Sequence, residues 1–150
     1  MELTVNSDEH FMREAIRQAE IAFEEGEIPV GAVVVCQKKI IAKAYNQTER
    51  LNDVTAHAEM IAITSAANHL GGKYLKDCSL YVSLEPCGMC AGALNWSQID
   101  HLVYALSDEK RGYNKINPNM IHPKTTVKSG LLANDSKKLL DEFFAKLRSK

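Results

Sequence analysis

The sequence predicts an α/β domain, a three-layer α/β/α sandwich around a mixed five-stranded sheet. Helical and strand-like patterns alternate along the chain, which is the order expected of helices covering a sheet. The run Val30 to Cys36 is continuously apolar and β-branched, as a strand buried on both faces must be. Two short stretches rich in chemistry, Thr55-Ala56-His57-Ala58-Glu59 and Leu84-Glu85-Pro86-Cys87-Gly88-Met89-Cys90, fall where helices begin. Sites in open α/β sheets form at such places, outside the strand ends. With 150 residues and 45% hydrophobic content, residues 1–150 are expected to form one domain with a core that needs no disulfide staples.

From Asp8 to Glu25, Phe11, Met12, Ala15, Ile16, Ala19, Ala22 and Phe23 recur at helical spacing, and Gly26 stops the helix. After the strand Val30 to Cys36, the polar Gln37-Lys38-Lys39 turns the chain and Ile40 to Tyr45 returns it as a hairpin, whose first strand is expected to be central. Asn46 ends that second strand before a polar loop. The next helix presents Ala58, Ile61, Ala62, Ser65, Ala66 and Leu70 as a narrow face suited to lying closely on a sheet, and Gly71-Gly72 closes it. Ser79 to Ser83 is a strand, Cys87 to Trp96 a helix and His101 to Leu106 a fourth strand. Gly112, Pro118 and Pro123 then break any regular pattern until a short fifth strand, Thr126 to Ser129. A last helix, Asp135 to about Leu147, turns most of Leu139, Leu140, Phe143, Phe144 and Leu147 to the core.

The chemistry lies in one histidine, two cysteines and one glutamate. His57, Cys87 and Cys90 give a zinc ion three protein ligands and leave the fourth tetrahedral position to water, which is the arrangement of a catalytic site. Glu59 is placed to take a proton from that water and return it elsewhere. Residues two apart in mid-helix point roughly 200° from each other, so His57 and Glu59 can serve one ion only at a helix tip, for which Thr55 is the expected N-cap. Cys87 and Cys90, three apart, share one helix face, and Pro86 suits the start of that helix. The positive end of a helix dipole favours the thiolates that zinc requires. Competing readings are a redox Cys-x-x-Cys pair and a closed structural zinc site. The second needs a fourth ligand, and no second Cys-x-x-Cys or His pair accompanies the first; His10, His69, His101 and His122 stand alone.

Cys36 and Cys78 lie in apolar strand contexts and are expected to be small buried residues. Four cysteines without a dense framework, no signal-peptide pattern and no apolar run of membrane-spanning length point to a cytoplasmic chain. The net charge of −1 neither demands nor forbids a nucleic-acid partner. Lys110, Arg111, Lys115, Lys124 and Lys128 follow the second cysteine, with Lys137, Lys138, Lys146, Arg148 and Lys150 after them, a distribution that suits either a nucleic-acid surface or an ordinary solvated one. Met89 is expected to pack rather than bind metal. Trp96 suits either a core or a subunit contact.

His-x-Glu followed by Pro-Cys-x-x-Cys resembles the signature of the zinc-dependent nucleic-acid-base deaminases. Glu27-Ile28-Pro29-Val30-Gly31-Ala32-Val33-Val34-Val35, Leu80-Tyr81-Val82-Ser83-Leu84-Glu85-Pro86-Cys87, Met89-Cys90-Ala91-Gly92-Ala93 and Leu139-Leu140-Asp141-Glu142-Phe143-Phe144 extend the likeness over nearly the whole chain. They resemble the bacterial tRNA adenosine deaminases of the cytidine and deoxycytidylate deaminase superfamily. The resemblance implies a cytidine deaminase-like fold, one zinc ion per chain, Glu59 as the catalytic proton carrier and substrate-binding positions at Asn46, Ala58, Pro86 and Asp108. It further implies conversion of adenosine to inosine at the wobble position of a tRNA anticodon loop, a homodimer, and Phe143 or Phe144 at the border of a nucleic-acid groove. Leu106 and Arg111-Gly112-Tyr113-Asn114 depart from the small residues common at those positions in that family. The alternative is therefore a deaminase of a free base or nucleoside, guanine or cytosine, and a non-catalytic zinc-stabilised binding module is a third reading.

Overall fold

A computed structural model describes residues 7–149. Its strands, Gly31–Cys36 (β1), Lys39–Tyr45 (β2), Cys78–Leu84 (β3), His101–Leu106 (β4) and Thr126–Ser129 (β5), form one sheet in the order β2-β1-β3-β4-β5. β1 runs antiparallel to both β2 and β3, whereas β3, β4 and β5 are parallel, so the sheet is mixed as expected. The helices are Asp8–Glu24 (α1), Ala58–Leu70 (α2), Gly88–Ser97 (α3), the short Tyr113–Ile116 (α4) and Ala133–Arg148 (α5). α3 is the crossover that parallel β3 and β4 require.

Both faces of the central strands are covered, which explains why β1 is apolar throughout. Val33 and Val35, with Tyr81 and Val103, meet Phe11, Met12, Ala15 and Ile16 of α1 and Leu139 of α5. On the opposite face Ala32, Val34, Leu80, Val82 and Leu102 meet Ala58, Ala62 and Ala66 of α2 and Ala91 and Leu94 of α3. Alternate residues of a strand point to opposite faces, so these two clusters make the three layers. Small residues set the spacing. A Cβ at Gly31 would lie 2.1 Å from the Ala15 carbonyl oxygen and 2.4 Å from the Ala19 nitrogen, so glycine lets α1 rest directly on the start of β1.

Several boundaries differ from the sequence expectation. Gln37 and Lys38 both hold positive φ (53° and 65°), the conformation of a two-residue primed hairpin turn, and Lys39 already belongs to β2. α5 begins at Ala133, two residues before Asp135, because Leu132 takes a left-handed conformation (φ 59°) that ends the preceding loop. Phe143 is buried edge-on against Phe23, while Phe144 and Leu147 are exposed. Trp96 is 83% exposed and takes no part in the core, and Met89 is exposed rather than packed. Cys78 is buried as expected, whereas Cys36 is half-buried at the strand end, opposite Cys78 in register. All four cysteines are free. The edge strands carry Lys39 and Lys43 on β2 and Lys128 on β5, all exposed. Among the described residues no helix is long and apolar enough to cross a membrane.

Polar contacts also tie the start of α1 to the sheet. The Tyr81 hydroxyl donates to Asp8 Oδ1 at the start of α1, and Lys128 Nζ approaches Asp8 Oδ2 at 3.3 Å. The Tyr81 hydrogen bond, followed by that of Lys128 and its charge, holds the Asp8 carboxyl below 3.8 against the opposing effect of burial. A carboxyl depressed on folding stabilises fully above its unfolded pKa and loses that contribution as pH falls through the folded value. Tyr81→Phe is therefore expected to lower stability by about 1 kcal/mol at pH 7 in urea denaturation. The gap between the two proteins narrows as pH falls below 3.8. A gap that widens on acidification contradicts this account.

Candidate active site

Two helix tips meet beyond the C-terminal ends of β2 and β3. Thr55 does not cap α2: its amide and hydroxyl both donate to Asp53 Oδ1, at 2.8 and 2.7 Å, so it belongs to the preceding turn. His57 occupies the cap position instead, with extended backbone (φ −73°, ψ 152°) and no side-chain capping bond. Leaving the helical path at His57 resolves the spacing problem, because its ring no longer follows the helix that fixes Glu59. Cys87 caps α3 in the same way (φ −72°, ψ 175°), with Cys90 in the first turn.

The geometry fits a metal ion. His57 Nδ1 lies 3.6 Å from Cys87 Sγ and 3.6 Å from Cys90 Sγ. Zinc bonds of about 2.3 Å to sulfur and about 2.05 Å to nitrogen, at the tetrahedral angle, require a nitrogen–sulfur separation of ~3.6 Å. The three ligand atoms lie within 4.8 Å of one another, and among the described residues they form the one cluster of three His, Cys, Asp or Glu side chains able to hold an ion. Neither His101 nor His122 belongs to that cluster; His122 Nδ1 accepts from the Lys124 amide, and His101 bonds Thr126. The donor set is that of an open zinc site, with sulfur and imidazole ligands from this chain and one tetrahedral position left over.

The electrostatics agree. Hydrogen bonding from Cys90 first, then from His57 and the Cys90 amide, together with the His57 charge, brings the Cys87 thiol down to about 4 although burial opposes it. Cys90 moves the other way, raised by its bond to Cys87, by burial and by the charges of Glu59 and Cys87. Two adjacent sulfurs cannot both be anionic without a cation between them, and a divalent ion supplies that charge. His57 is raised by its bond to Cys87 and by the charges of Cys87 and Glu59, with burial acting against them. Glu59 is 4% exposed, and burial, aided by the Cys87 charge, pushes its carboxyl up to about 7 against the bonds from its own amide and Cys90 and the His57 charge.

Two further carboxylates organise the surrounding loops, and sequence reasoning assigned no role to either. Glu27, 1% exposed, accepts from the amides of Glu49 at 3.0 Å and Arg50 at 2.7 Å, fixing the loop between Asn46 and His57. Glu85, 5% exposed, accepts from the amides of Asp108 and Asn114, both at 3.0 Å, and from Asn114 Nδ2 at 3.1 Å. Each glutamate lies one or two residues before a proline in an apolar stretch. That setting, charged beside apolar neighbours, was the available signal.

The remaining candidate positions surround the centre unequally. Asn46 is buried, its Nδ2 donating weakly to the Ile28 carbonyl at 3.4 Å, and the next residue pairs with Ala56 just before His57. Ala58 and Pro86 are fully buried, and the Pro86 carbonyl accepts from the Tyr113 amide. Asp108 caps its own turn: Oδ1 accepts from the amides of Lys110 and Arg111 at 3.0 Å each.

Comparison with known proteins agrees with this centre. Residues 5–106 match the model of the cytidine and deoxycytidylate deaminase zinc-binding region. A tRNA-specific adenosine deaminase of Aquifex aeolicus is 43% identical over 94% of this chain and 96% of its own length. One from Rickettsia bellii is 45% identical over 91% and 99%. A solved structure from work on tRNA:A34 deaminases that edit A to I at the wobble position superposes with a TM-score of 0.81 at 41% identity, covering 87% of this chain and 99% of that one. The guanine deaminase of Nitrosomonas europaea superposes with 0.80 at 26% identity, covering 93% and 85%. With the matched region spanning both helix tips and the ligand set they bring together, the chain belongs to the zinc-dependent cytidine and deoxycytidylate deaminase family.

Proposed function

We propose that this chain hydrolytically deaminates adenosine to inosine at the wobble position of a tRNA anticodon loop, releasing ammonia. The observation that carries the reading is the fit of His57 Nδ1 and the two sulfurs to a tetrahedral zinc edge, with a buried proton carrier alongside. Held by His57, Cys87 and Cys90, a zinc ion would supply a water whose pKa falls from about 15.7 to near 7. Glu59 would accept the first proton of the attacking water and pass it to the purine ring nitrogen beside the carbon under attack. It would then take the second proton from the hydroxyl now on that carbon and deliver it to the amino group, which departs as ammonia as the C–N bond breaks and the C=O bond forms. Water supplies the oxygen that remains on the base. Asn46, with donor and acceptor on one amide, suits the edge of a purine. Ala58 and Pro86 form the floor, and Asp108 stands toward the flanking nucleotides.

The choice of RNA follows the bacterial relatives, which match over nearly the full chain and are tRNA-specific adenosine deaminases. A single-stranded loop offers splayed bases that a narrow pocket can take. A free guanine is the second reading, favoured by the likeness to guanine deaminases. In our reading residues 1–150 act as one catalytic domain, in the cytoplasm and as a homodimer, for which exposed Trp96, Met89 and Ile116 offer apolar surface.

His57→Ala is expected to lose bound zinc by atomic absorption. Glu59→Ala is expected to keep one zinc per chain while turnover falls by at least about 10²-fold; appreciable residual activity would remove Glu59 from the chemistry. Ammonia release from an anticodon stem-loop, compared with guanine, cytosine and adenosine, separates the substrate readings. We expect release from the stem-loop alone, with a KM that rises steeply with salt because phosphate contacts weaken. Release from guanine, insensitive to salt, favours the second reading.

A further inference from the structure

We propose that Glu85 is a positioning residue for the polynucleotide, acting through the loop it clamps and not through the metal. The inference rests on the RNA reading above. Pairing between β3 and β4 ends at Leu84 and Leu106, and the Glu85 amide adds a last bond to the Leu106 carbonyl at 2.8 Å. Beyond that point the Glu85 side chain takes over. One oxygen holds the Asp108 amide, and the other holds the amide and side chain of Asn114. A single buried carboxylate thus pins both ends of the turn between Asp108 and Asn114.

The turn is built against that carboxylate. A Cβ at Gly112 would fall 2.3 Å from Glu85 Cδ and Oε2 and 2.5 Å from the Asp108 carbonyl oxygen, so the loop passes over Glu85 at a distance that admits only glycine. Gly112 also bridges Cys87, and the Tyr113 amide donates to the Pro86 carbonyl at 2.9 Å, which seats the loop on the metal-ligand segment. The segment carries Lys110, Arg111 and Lys115, all exposed, and borders a cavity of 310 Å³ lined by Glu85, Ser107, Asp108 and Asn114 among others. Cations on a loop fixed beside the reacting centre are placed to meet phosphates flanking the base. Glutamate at position 85 therefore sets where those cations stand. Glutamine of the same shape keeps one acceptor and turns a donor toward an amide that itself donates.

In the zinc-loaded full chain, Glu85→Gln is expected to accelerate hydrogen exchange at the Asp108 and Asn114 amides at least tenfold, with zinc still at one per chain. Its KM for the anticodon stem-loop rises about tenfold, kcat changes less than threefold, and the dependence of log KM on log salt flattens as ordered phosphate contacts are lost. Gly112→Ala, which displaces the loop from the other side, gives the same pattern. Glu85→Asp, one methylene short, does not restore it. Unchanged exchange at the two amides in both variants overturns the proposal whatever the substrate, and so does an unchanged KM and salt slope or a loss confined to zinc and kcat. A wild-type protein inactive on the stem-loop but active on guanine defeats the RNA reading instead. In that case the anchoring claim stands or falls on the exchange rates, and the claim of polynucleotide positioning falls.

Discussion

Everything in this molecule answers to one requirement, that the first residues of two helices converge on a volume a few ångströms across. Three ligand atoms must sit at tetrahedral spacing and one acid must stand beside them, although they come from segments thirty residues apart. A helix tip satisfies the requirement where a helix interior cannot. At its cap the backbone leaves the helical path, so a side chain there is freed from the 100° step that governs its successors. His57 and Cys87 both use this freedom, and both helices direct the positive ends of their dipoles at the sulfurs.

The sheet order delivers those tips. β1 lies between β2 and β3, so the loop after β2 and the turn after β3 emerge on the same side. Small residues on α2 and α3 let both helices lie close to the strands, bringing their N-termini close to each other. Burial then tunes the site. The same removal from water that raises Glu59 toward neutrality would destabilise a carboxylate lacking amide donors. Glu27 and Glu85, equally buried, each accept two backbone amides and spend their charge on fixing loops. Three buried glutamates thus play different parts according to the number of donors that face them.

Periodicity and spacing made the strands and the three residues positioned to hold an ion legible, because a buried face and a tetrahedral donor set both impose short-range patterns on a sequence. Thr55 was misread as a cap because Asp53 competes for its amide and hydroxyl, a local contest that residue preference alone does not decide. The start of α5 was placed two residues late because the left-handed turn falls on leucine, which carries no signal for that conformation. The clamp made by Glu85 joins positions 23 and 29 residues apart, and nothing in either segment announces the other. Family likeness pointed to Asp108, whereas its bonds to Lys110 and Arg111 emerge only from the fold.

The two outer strands have a consequence for how copies of this protein coexist. An unpaired strand edge invites a foreign strand to dock, and long flat edges seed aggregation. β5 is only four residues long, and β2 carries two outward lysines along its length. Bringing another backbone alongside would bury ammonium groups, so the sheet resists growth into fibres at both margins while β1, inside it, carries no charged residue.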